Sequence, residues 1–152
     1  MNSDINIIWQ QLLENNTTLK LTTLRKDVLS IFIHYQKPLS AYDALALLKK
    51  NRKTAEAMTI YRVIEYLMKH HILHRISSEN KYVFCTQIDD GHNHSHHHGL
   101  FFICQQCLTS KEITDKSFET FLNTLSTDHH FFLDQSFVEI KGLCGQCATE
   151  VN

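Results

Sequence analysis

Four cysteines form the clearest chemical pattern in the sequence. They occur as two Cys-x-x-Cys pairs separated by 36 residues: Cys104, Cys107, Cys144 and Cys147. Two residues between thiols let one tight turn direct both sulfurs at the same ion, and two such turns complete a tetrahedral zinc shell. A closed shell of four thiolates has no open position for a substrate. The spacing therefore predicts a structural zinc site, not a catalytic one.

The alternatives for these cysteines are a redox pair, buried apolar thiols or disulfides. A redox Cys-x-x-Cys needs only one pair, at a helix N-terminus, whereas each pair here is predicted at a strand end. The cysteine count is five, an odd number. In a chain that looks cytosolic, an odd count with two pairs favours metal thiolates over disulfides.

A second possible ligand group is dispersed along the chain. It comprises a thiolate, two imidazoles and a carboxylate: His74, Cys85, His97 and Glu112. Such a mixed shell suits zinc better than manganese or magnesium because of the soft sulfur. The separation of these residues makes the pattern weak, and the residues alone favour a half-buried Cys85, a surface His74 and a solvated Glu112.

The N-terminal half is predicted to hold four amphipathic helices and a β-hairpin. The first helix is marked by apolar residues at helical spacing: Ile5, Ile8, Trp9, Leu12 and Leu13. The second has an N-cap at Thr22 and ends before Lys37-Pro38, and the third begins with a Ser40–Asp43 capping box. The fourth has an apolar stripe from about Glu56 to His71. Short β-prone runs at 72–76 and 81–85 flank a polar turn. This order is that of a winged helix-turn-helix, in which the last helix lies in the major groove of DNA.

The polar face of the fourth predicted helix is a candidate DNA surface. It presents Thr59, Tyr61, Arg62 and Lys69. Arg62 could pair with a guanine edge or a phosphate, and Tyr61 could meet a phosphate or a thymine methyl. Residues 1–85 contain 12 Lys+Arg and 7 Asp+Glu, a formal charge of +5, whereas residues 86–152 carry −6. A basic half suits a polyanion, although ordinary solvated helix residues are the alternative.

The remainder of the chain is predicted to be a histidine-rich linker and a small α/β domain. The linker, residues 86–99, contains five histidines without periodicity. The pattern that follows is strand, strand, helix, strand. The strands are predicted at 100–103, 110–114 and 131–140, and the helix is marked by Phe118 and Leu125. The fold class is thus α+β, with domains 1–85 and 100–152 joined by the linker. About 50 residues make a thin core, so zinc and a second copy of the chain are the expected supplements, and exposed edges of the three-stranded sheet invite pairing between copies.

Membrane insertion and export are not expected. The chain has no apolar run near the roughly 18 residues of a membrane helix, and its N-terminus lacks a basic segment followed by an apolar one. A cytoplasmic protein is therefore expected.

Six short stretches resemble signatures of the Fur superfamily of bacterial metalloregulators. They are LTTLR (Leu21–Arg25), SAYDAL (Ser40–Leu45), MTIYRVIEYL (Met58–Leu67), YVFC (Tyr82–Cys85), FICQQC (Phe102–Cys107) and GLCGQC (Gly142–Cys147). They occur in the family's order and are most similar to its zinc-sensing branch. The resemblance implies a winged-helix domain, an α/β dimerisation domain, and a homodimer that binds double-stranded operator DNA and represses zinc-acquisition genes when loaded with zinc. It implies neither an enzyme nor a small-molecule substrate.

The resemblance also assigns roles to residues. The four paired cysteines match the structural zinc ligands, and His74, Cys85, His97 and Glu112 match the regulatory ligands of the zinc-sensing branch, which implies two zinc ions per subunit. Tyr42 and Arg62 match residues that read purines, and Tyr61 lies beside them. The Cys85 thiolate separates a zinc sensor from iron and peroxide sensors, whose regulatory shells use nitrogen and oxygen.

The chain departs from the family pattern at several positions. Thr23 replaces a proline, which should loosen the start of its helix while Thr22 remains as cap. In the histidine-rich linker, His96 or His98 could replace His97. A third metal site using Glu119 and linker histidines is not expected, because Gln135 and Ser136 stand where some members have a histidine.

Three other functions are open to a chain with these residues. The nearest is an iron, manganese or peroxide sensor of the same fold. A zinc hydrolase would need an open metal position and a general base, and signals of a substrate pocket are missing. The third is a protein-binding zinc module or a histidine-rich metal carrier without a DNA function.

Overall fold

The computed structural model describes residues 2–15, 19–35, 37–85, 99–133 and 137–149, apart from the side chains of residues 2–6, 13 and 15. The predicted linker therefore lies outside the described residues, except for Gly99. The chain divides into two compact units, residues 1–92 and 93–152. Each unit is described by itself.

The first unit consists of four helices followed by a hairpin, as the sequence predicts. The elements are α1 (Asn2–Asn15), α2 (Thr23–Tyr35), α3 (Ala41–Leu48), α4 (Ala57–Lys69), β1 (Leu73–Ile76) and β2 (Lys81–Phe84), with a 3₁₀ turn at Ser77–Glu79 between the strands. The predicted capping box at α3 is confirmed: the Asp43 N–H donates to the Ser40 hydroxyl, and the Ser40 N–H donates to the Asp43 carboxylate. Helix α2 begins at Thr23 despite the missing proline.

The core of this unit lies between α2, α3, α4 and the hairpin. Helix α4 buries one stripe of side chains at helical spacing: Ile60, Val63, Ile64 and Leu67. This stripe packs with Val28, Leu29 and Phe32 of α2. Burial of this apolar face orients α4 so that its opposite side, which includes Arg62, is exposed.

The hairpin is joined to the helices by a bridge at Leu39. The strands are antiparallel, and His74 lies opposite Val83. The Leu39 N–H donates to the Tyr82 carbonyl at 2.9 Å and the Tyr82 N–H donates to the Leu39 carbonyl at 2.8 Å. Since Leu39 directly precedes the N-cap of α3, the hairpin is fixed to the start of that helix.

The second unit is a small α/β arrangement with a three-stranded sheet. Its elements are β3 (Gly99–Cys104), β4 (Ser110–Ile113), α5 (Lys116–Asp128), β5 (Phe137–Gly142) and α6 (Gly145–Thr149). The strand order is β4-β3-β5, with β3 antiparallel to β4 and parallel to β5. The predicted fold class is confirmed. Strand β3 begins one residue earlier than predicted.

One local prediction in this unit is wrong, and one element was missed. The last strand begins at Phe137 and not at Phe131, and residues 131–133 are irregular. This segment starts with a helix cap: His130 has φ 53°, and the Phe131 N–H donates to the Ser126 carbonyl at 2.8 Å, which is the pattern of a Schellman motif. Gln135 and Ser136 lie outside the described residues. The short helix α6 was not predicted at all.

The helices of the described residues do not have the dimensions of a bilayer span. None of them is both long enough and apolar enough to cross a membrane.

Candidate metal centre and nucleic-acid interface

The structure brings the four paired cysteines together at one end of the sheet. Their sulfurs all lie within 4.8 Å of one another, and the Cys107 and Cys144 sulfurs are 3.8 Å apart. Cys104 ends β3, and Cys107 lies in the turn that follows. The second pair differs from the expectation of a simple strand end, because Cys144 follows β5 and Cys147 lies in α6. We call this group the four-cysteine site.

The geometry of the four-cysteine site fits zinc. Zinc–sulfur bonds of about 2.3 Å in a tetrahedron place neighbouring sulfurs about 3.8 Å apart, which is the Cys107–Cys144 separation. A redox pair would bring two sulfurs together, whereas here both pairs converge on one point. All five cysteines of the chain are free thiols, so these four are available as ligands.

Hydrogen bonds prepare two of the thiols for metal binding. The N–H groups of Cys107 and Cys144 donate to the Cys104 sulfur and lower the pKa of that thiol to about 6. The Thr109 hydroxyl lies 3.2 Å from the Cys107 sulfur and, by hydrogen bonding, lowers the pKa of the Cys107 thiol. The hydrogen bond with Cys144, together with burial, raises the pKa of Cys147 to about 12. Four crowded sulfurs thus require a cation before all four can be thiolates.

His74 and Cys85 form a second pair of ligand atoms inside the first unit. Cys85 follows β2, and its N–H donates to the Ile72 carbonyl at 2.9 Å. Cys85 thus lies opposite Ile72 and shares a face of the hairpin with His74. An imidazole nitrogen and the Cys85 sulfur lie within 4.8 Å of each other. His74 is 3% exposed and Cys85 is fully buried, so the alternative of a surface His74 is wrong.

The other two predicted ligands belong to different parts of the chain. Glu112 lies in β4 of the second unit, opposite Phe101 of β3, and is half-buried. His97 and its possible replacements His96 and His98 lie outside the described residues. The assignment of Glu112 and of one linker histidine to a regulatory site stays a prediction.

The predicted DNA-contact residues lie on neighbouring helices of the first unit. Tyr42 of α3 is 66% exposed, and its ring meets that of Tyr61 edge-on, with centroids 6.3 Å apart. Tyr61 is partly buried against the core, so it is not the fully solvated residue that the alternative assumed. Thr59 is half-buried and Arg62 is exposed. All four side chains thus keep some exposed surface with which to meet a ligand.

Sequence reasoning missed a clasp that joins α4 to α2 and to Lys20 in the segment before α2. The Arg25 guanidinium stacks over the Tyr66 ring at 3.4 Å from its centroid, and its Nη1 donates to the Lys20 carbonyl at 2.6 Å. The Lys20 N–H in turn donates to the Tyr66 hydroxyl at 2.7 Å. Arg25 belongs to the LTTLR stretch and Tyr66 to the MTIYRVIEYL stretch, so two signatures that are distant in sequence meet here.

The model of the ferric uptake regulator family matches residues 16–141 of the chain. The chain belongs to this family. The match spans α2 to β5, and therefore includes the helix-turn-helix, the hairpin and the three-stranded sheet up to Lys141.

Relatives of this family member include both zinc and iron regulators. The zinc uptake regulation protein of Escherichia coli (strain K12) is 32% identical over 128 residues, which cover 84% of this chain and 72% of that protein. The ferric uptake regulation protein of Bordetella parapertussis is 33% identical over 135 residues, covering 87% of this chain and 91% of that protein. Percentage identity to these two relatives thus does not decide between a zinc regulator and an iron regulator.

Among solved structures, the similarity extends over nearly the full chain. The structure of a zinc uptake regulator complexed with zinc and DNA matches with a TM-score of 0.86 and 28% identity, covering 98% of this chain and 96% of that chain. The expectation of a Fur superfamily fold, drawn from the six signatures, is therefore confirmed.

Thr109 and α6 are the features of the four-cysteine site that sequence reasoning did not find. Thr109 stands two residues after the first Cys-x-x-Cys, where a hydroxyl can reach back to the sulfur, and this proximity was the available signal. Helix α6 offered less signal, because it has five residues and starts at a glycine.

Proposed function

We propose that this protein is a zinc-responsive transcriptional repressor of zinc uptake genes, which binds operator DNA as a zinc-loaded homodimer in the cytoplasm. The observation that carries the proposal is the buried His74–Cys85 pair within the hairpin of the winged helix-turn-helix. Metal binding by this pair would act on the hairpin, which accompanies the recognition helix in a winged helix-turn-helix.

The four-cysteine site is proposed to hold a structural zinc ion. Its sulfurs match a tetrahedral shell, and the pKa of Cys104, lowered to about 6, keeps one ligand ionised at neutral pH. Such a site contributes folding free energy to the second unit, whose core is small and whose helix α5 buries no side chain among the described residues.

The regulatory zinc is proposed to be bound by His74 and Cys85 together with Glu112 and one linker histidine, His97 or its neighbours His96 and His98. The soft Cys85 sulfur favours zinc over manganese or magnesium. The iron sensor is the second candidate, supported by the 33% identity to a ferric regulator. The buried Cys85 sulfur argues against it, since the family's iron and peroxide sensors rely on nitrogen and oxygen ligands.

Residues 100–152, within the second unit, are proposed as the dimerisation domain. Large apolar side chains on its surface remain accessible in the single chain: Phe102, Phe121, Leu125, Phe131, Phe132, Ile140 and Leu143. So many exposed apolar side chains on about 50 residues indicate a surface that a partner covers. A second copy of the chain is the partner expected from the family.

Residues 1–85, within the first unit, are proposed as the DNA-binding domain. Arg62 and Tyr42 would read purine edges in the major groove, with Thr59 and Tyr61 beside them. Binding of zinc by His74, Cys85, Glu112 and a linker histidine would join the hairpin to the dimerisation domain. This would fix the two winged helices of a dimer at the spacing of successive major-groove faces. DNA must then strengthen zinc binding by the same factor by which zinc strengthens DNA binding.

The test is operator binding as a function of metal content. Dimers with one and with two zinc ions per subunit are compared on a palindromic duplex, selected from a random library with the zinc-loaded protein, and Fe²⁺ and Mn²⁺ replace the second zinc in parallel samples. We expect tight binding only with two zinc ions. Equal affinity with one zinc ion would refute the switch, and tight binding only with Fe²⁺ would favour the iron sensor.

A further inference from the structure

The Arg25–Tyr66–Lys20 clasp lies beside the proposed recognition surface but has no part in the metal sites. Both backbone polar groups of Lys20 are held, its N–H by the Tyr66 hydroxyl and its carbonyl by Arg25 Nη1. The guanidinium is fixed by that hydrogen bond and by the Tyr66 ring beneath it. A long, flexible arginine side chain thus has a defined position, which lowers the entropy cost of a further contact.

The clasp lies next to the exposed side of α4, where Arg25 and Tyr66 are half-buried. Tyr66 follows Arg62 by four residues, so the two side chains are neighbours on the same side of the helix. The stripe at Ile60, Val63, Ile64 and Leu67 faces the core. Tyr66, which contacts the Arg25 guanidinium, therefore lies one helical turn beyond Arg62, and Tyr61, which contacts Tyr42, directly precedes Arg62.

The chemistry of the clasp fits a phosphate. A guanidinium has five N–H donors in a planar fork that matches phosphate oxygens, and the Lys20 carbonyl accepts from one of them. The exposed Lys20 side chain adds positive charge nearby. Residues 1–85 carry a formal charge of +5, which favours a polyanion on this unit.

We propose that Arg25 contacts a phosphate of the operator backbone and that Tyr66 is its positioning residue. This proposal rests on the proposed DNA-binding function. A backbone contact fixes the register of the recognition helix and carries no sequence information of its own. Loss of Arg25 should therefore weaken binding to operator and to unrelated DNA by similar factors, whereas loss of Arg62 should weaken binding mainly to the operator.

The experiment measures DNA affinity by fluorescence anisotropy at several salt concentrations, with zinc-loaded dimer on the selected operator and on a scrambled duplex of equal length. The logarithm of the association constant falls as the logarithm of the salt concentration rises. Loss of one phosphate contact per subunit makes this dependence less steep, by about 0.9 in slope per subunit. We expect this decrease for Arg25→Gln on both duplexes. Arg52→Gln is the matched control, because it removes the same charge from a guanidinium that is paired with Asp27, and it should keep the wild-type slope.

The outcomes separate the inference from the function on which it rests. If wild-type protein does not discriminate between the duplexes, the proposed function fails. If wild type discriminates but Arg25→Gln keeps its slope, or if both arginine variants lose slope equally, only the phosphate contact is refuted. A lower melting temperature with an unchanged slope would make the clasp purely structural and would also refute it.

A second variant covers the case in which Arg25→Gln does not fold. Tyr66→Leu removes the ring beneath the guanidinium and the acceptor for the Lys20 N–H, and it leaves the Arg25 charge in place. We expect weaker binding of the scrambled duplex, because an Arg25 side chain that no longer stacks on Tyr66 loses conformational entropy when it contacts a phosphate. Wild-type affinity of a folded Tyr66→Leu dimer for the scrambled duplex would overturn the positioning role.

Discussion

Replacing Cys85 with alanine separates folding from sensing, because this thiol is buried but lies outside the four-cysteine site. The Cys85 side chain is fully buried. Its loss leaves a cavity of about one atom, which we expect to cost about 1 kcal/mol of the free energy of unfolding. A cost of this size leaves the first unit folded at room temperature.

The effect of Cys85→Ala on zinc and operator binding should be larger than its effect on packing. If zinc at about 100 times its dissociation constant stabilises the wild type, its binding contributes about 2.7 kcal/mol to the free energy of unfolding, and the variant loses that contribution. A typical coupling between two sites of about 1–3 kcal/mol corresponds to a roughly 5- to 150-fold change in affinity. We therefore expect Cys85→Ala to keep one firmly held zinc per subunit and to bind operator about 5- to 150-fold more weakly when zinc is present.

The assay combines zinc content by mass with operator affinity at one fixed salt concentration, since DNA affinity depends strongly on salt. Val83→Ala is the matched control, because Val83 is a buried residue of the same hairpin without a ligand atom. It should lose at least as much stability as Cys85→Ala and keep two zinc ions and its operator affinity. Two zinc ions per subunit and wild-type affinity in Cys85→Ala would falsify the assignment of Cys85, and equal loss of affinity in both variants would point to the fold of the hairpin.

Three further predictions concern the stability of the two units. Cys104→Ala removes a zinc ligand and should leave the second unit unfolded or monomeric, as seen by sedimentation; a folded dimer without bound zinc would contradict this. Ser40→Ala breaks the capping box and should cost about 1 kcal/mol at neutral pH by denaturant unfolding. The pKa of Asp43 is lowered by its hydrogen bonds from Ser40. The stability from this carboxylate is thus present above its unfolded pKa and lost as the pH falls through the lower folded value, so the difference between wild type and Ser40→Ala should shrink in acid; a constant difference would refute this. Gly99→Ala places a Cβ 2.5 Å from the Phe137 ring and should lower the free energy of unfolding of the second unit by about 1–3 kcal/mol, whereas an unchanged melting temperature would show that the ring moves aside freely.

Most of the first unit was predictable because its signals are local. A hydroxyl cap followed three residues later by a carboxylate identifies the start of α3, and the apolar stripe of α4 follows the helical period closely. The four-cysteine site was predictable for the same reason, since the spacing within each pair encodes the turn. These features depend on residues within a few positions of each other, which is the range over which sequence patterns are informative.

The features that were missed depend on tertiary contacts or on unusual backbone. The strand expected from Phe131 was displaced because His130 adopts a left-handed conformation that closes α5, and nothing in the apolar run of Phe131 and Phe132 indicates this. The clasp joins Arg25 to Tyr66 across 41 positions of sequence. The burial of His74 follows from its place in the hairpin, whereas composition alone favoured a surface histidine.

The double hydrogen bond between Leu39 and Tyr82 has a consequence for communication within the first unit. Tyr82 lies on the strand that leads to Cys85, and Leu39 precedes the N-cap of the helix that carries Tyr42. Only two residues of main chain, Ser40 and Ala41, therefore separate the bridge to the hairpin from the proposed base-reading tyrosine. Because this span of main chain is short, we expect a shift of the hairpin to displace Tyr42 as well. The metal ion and the operator would then be coupled through β2 and the Leu39–Tyr82 bridge.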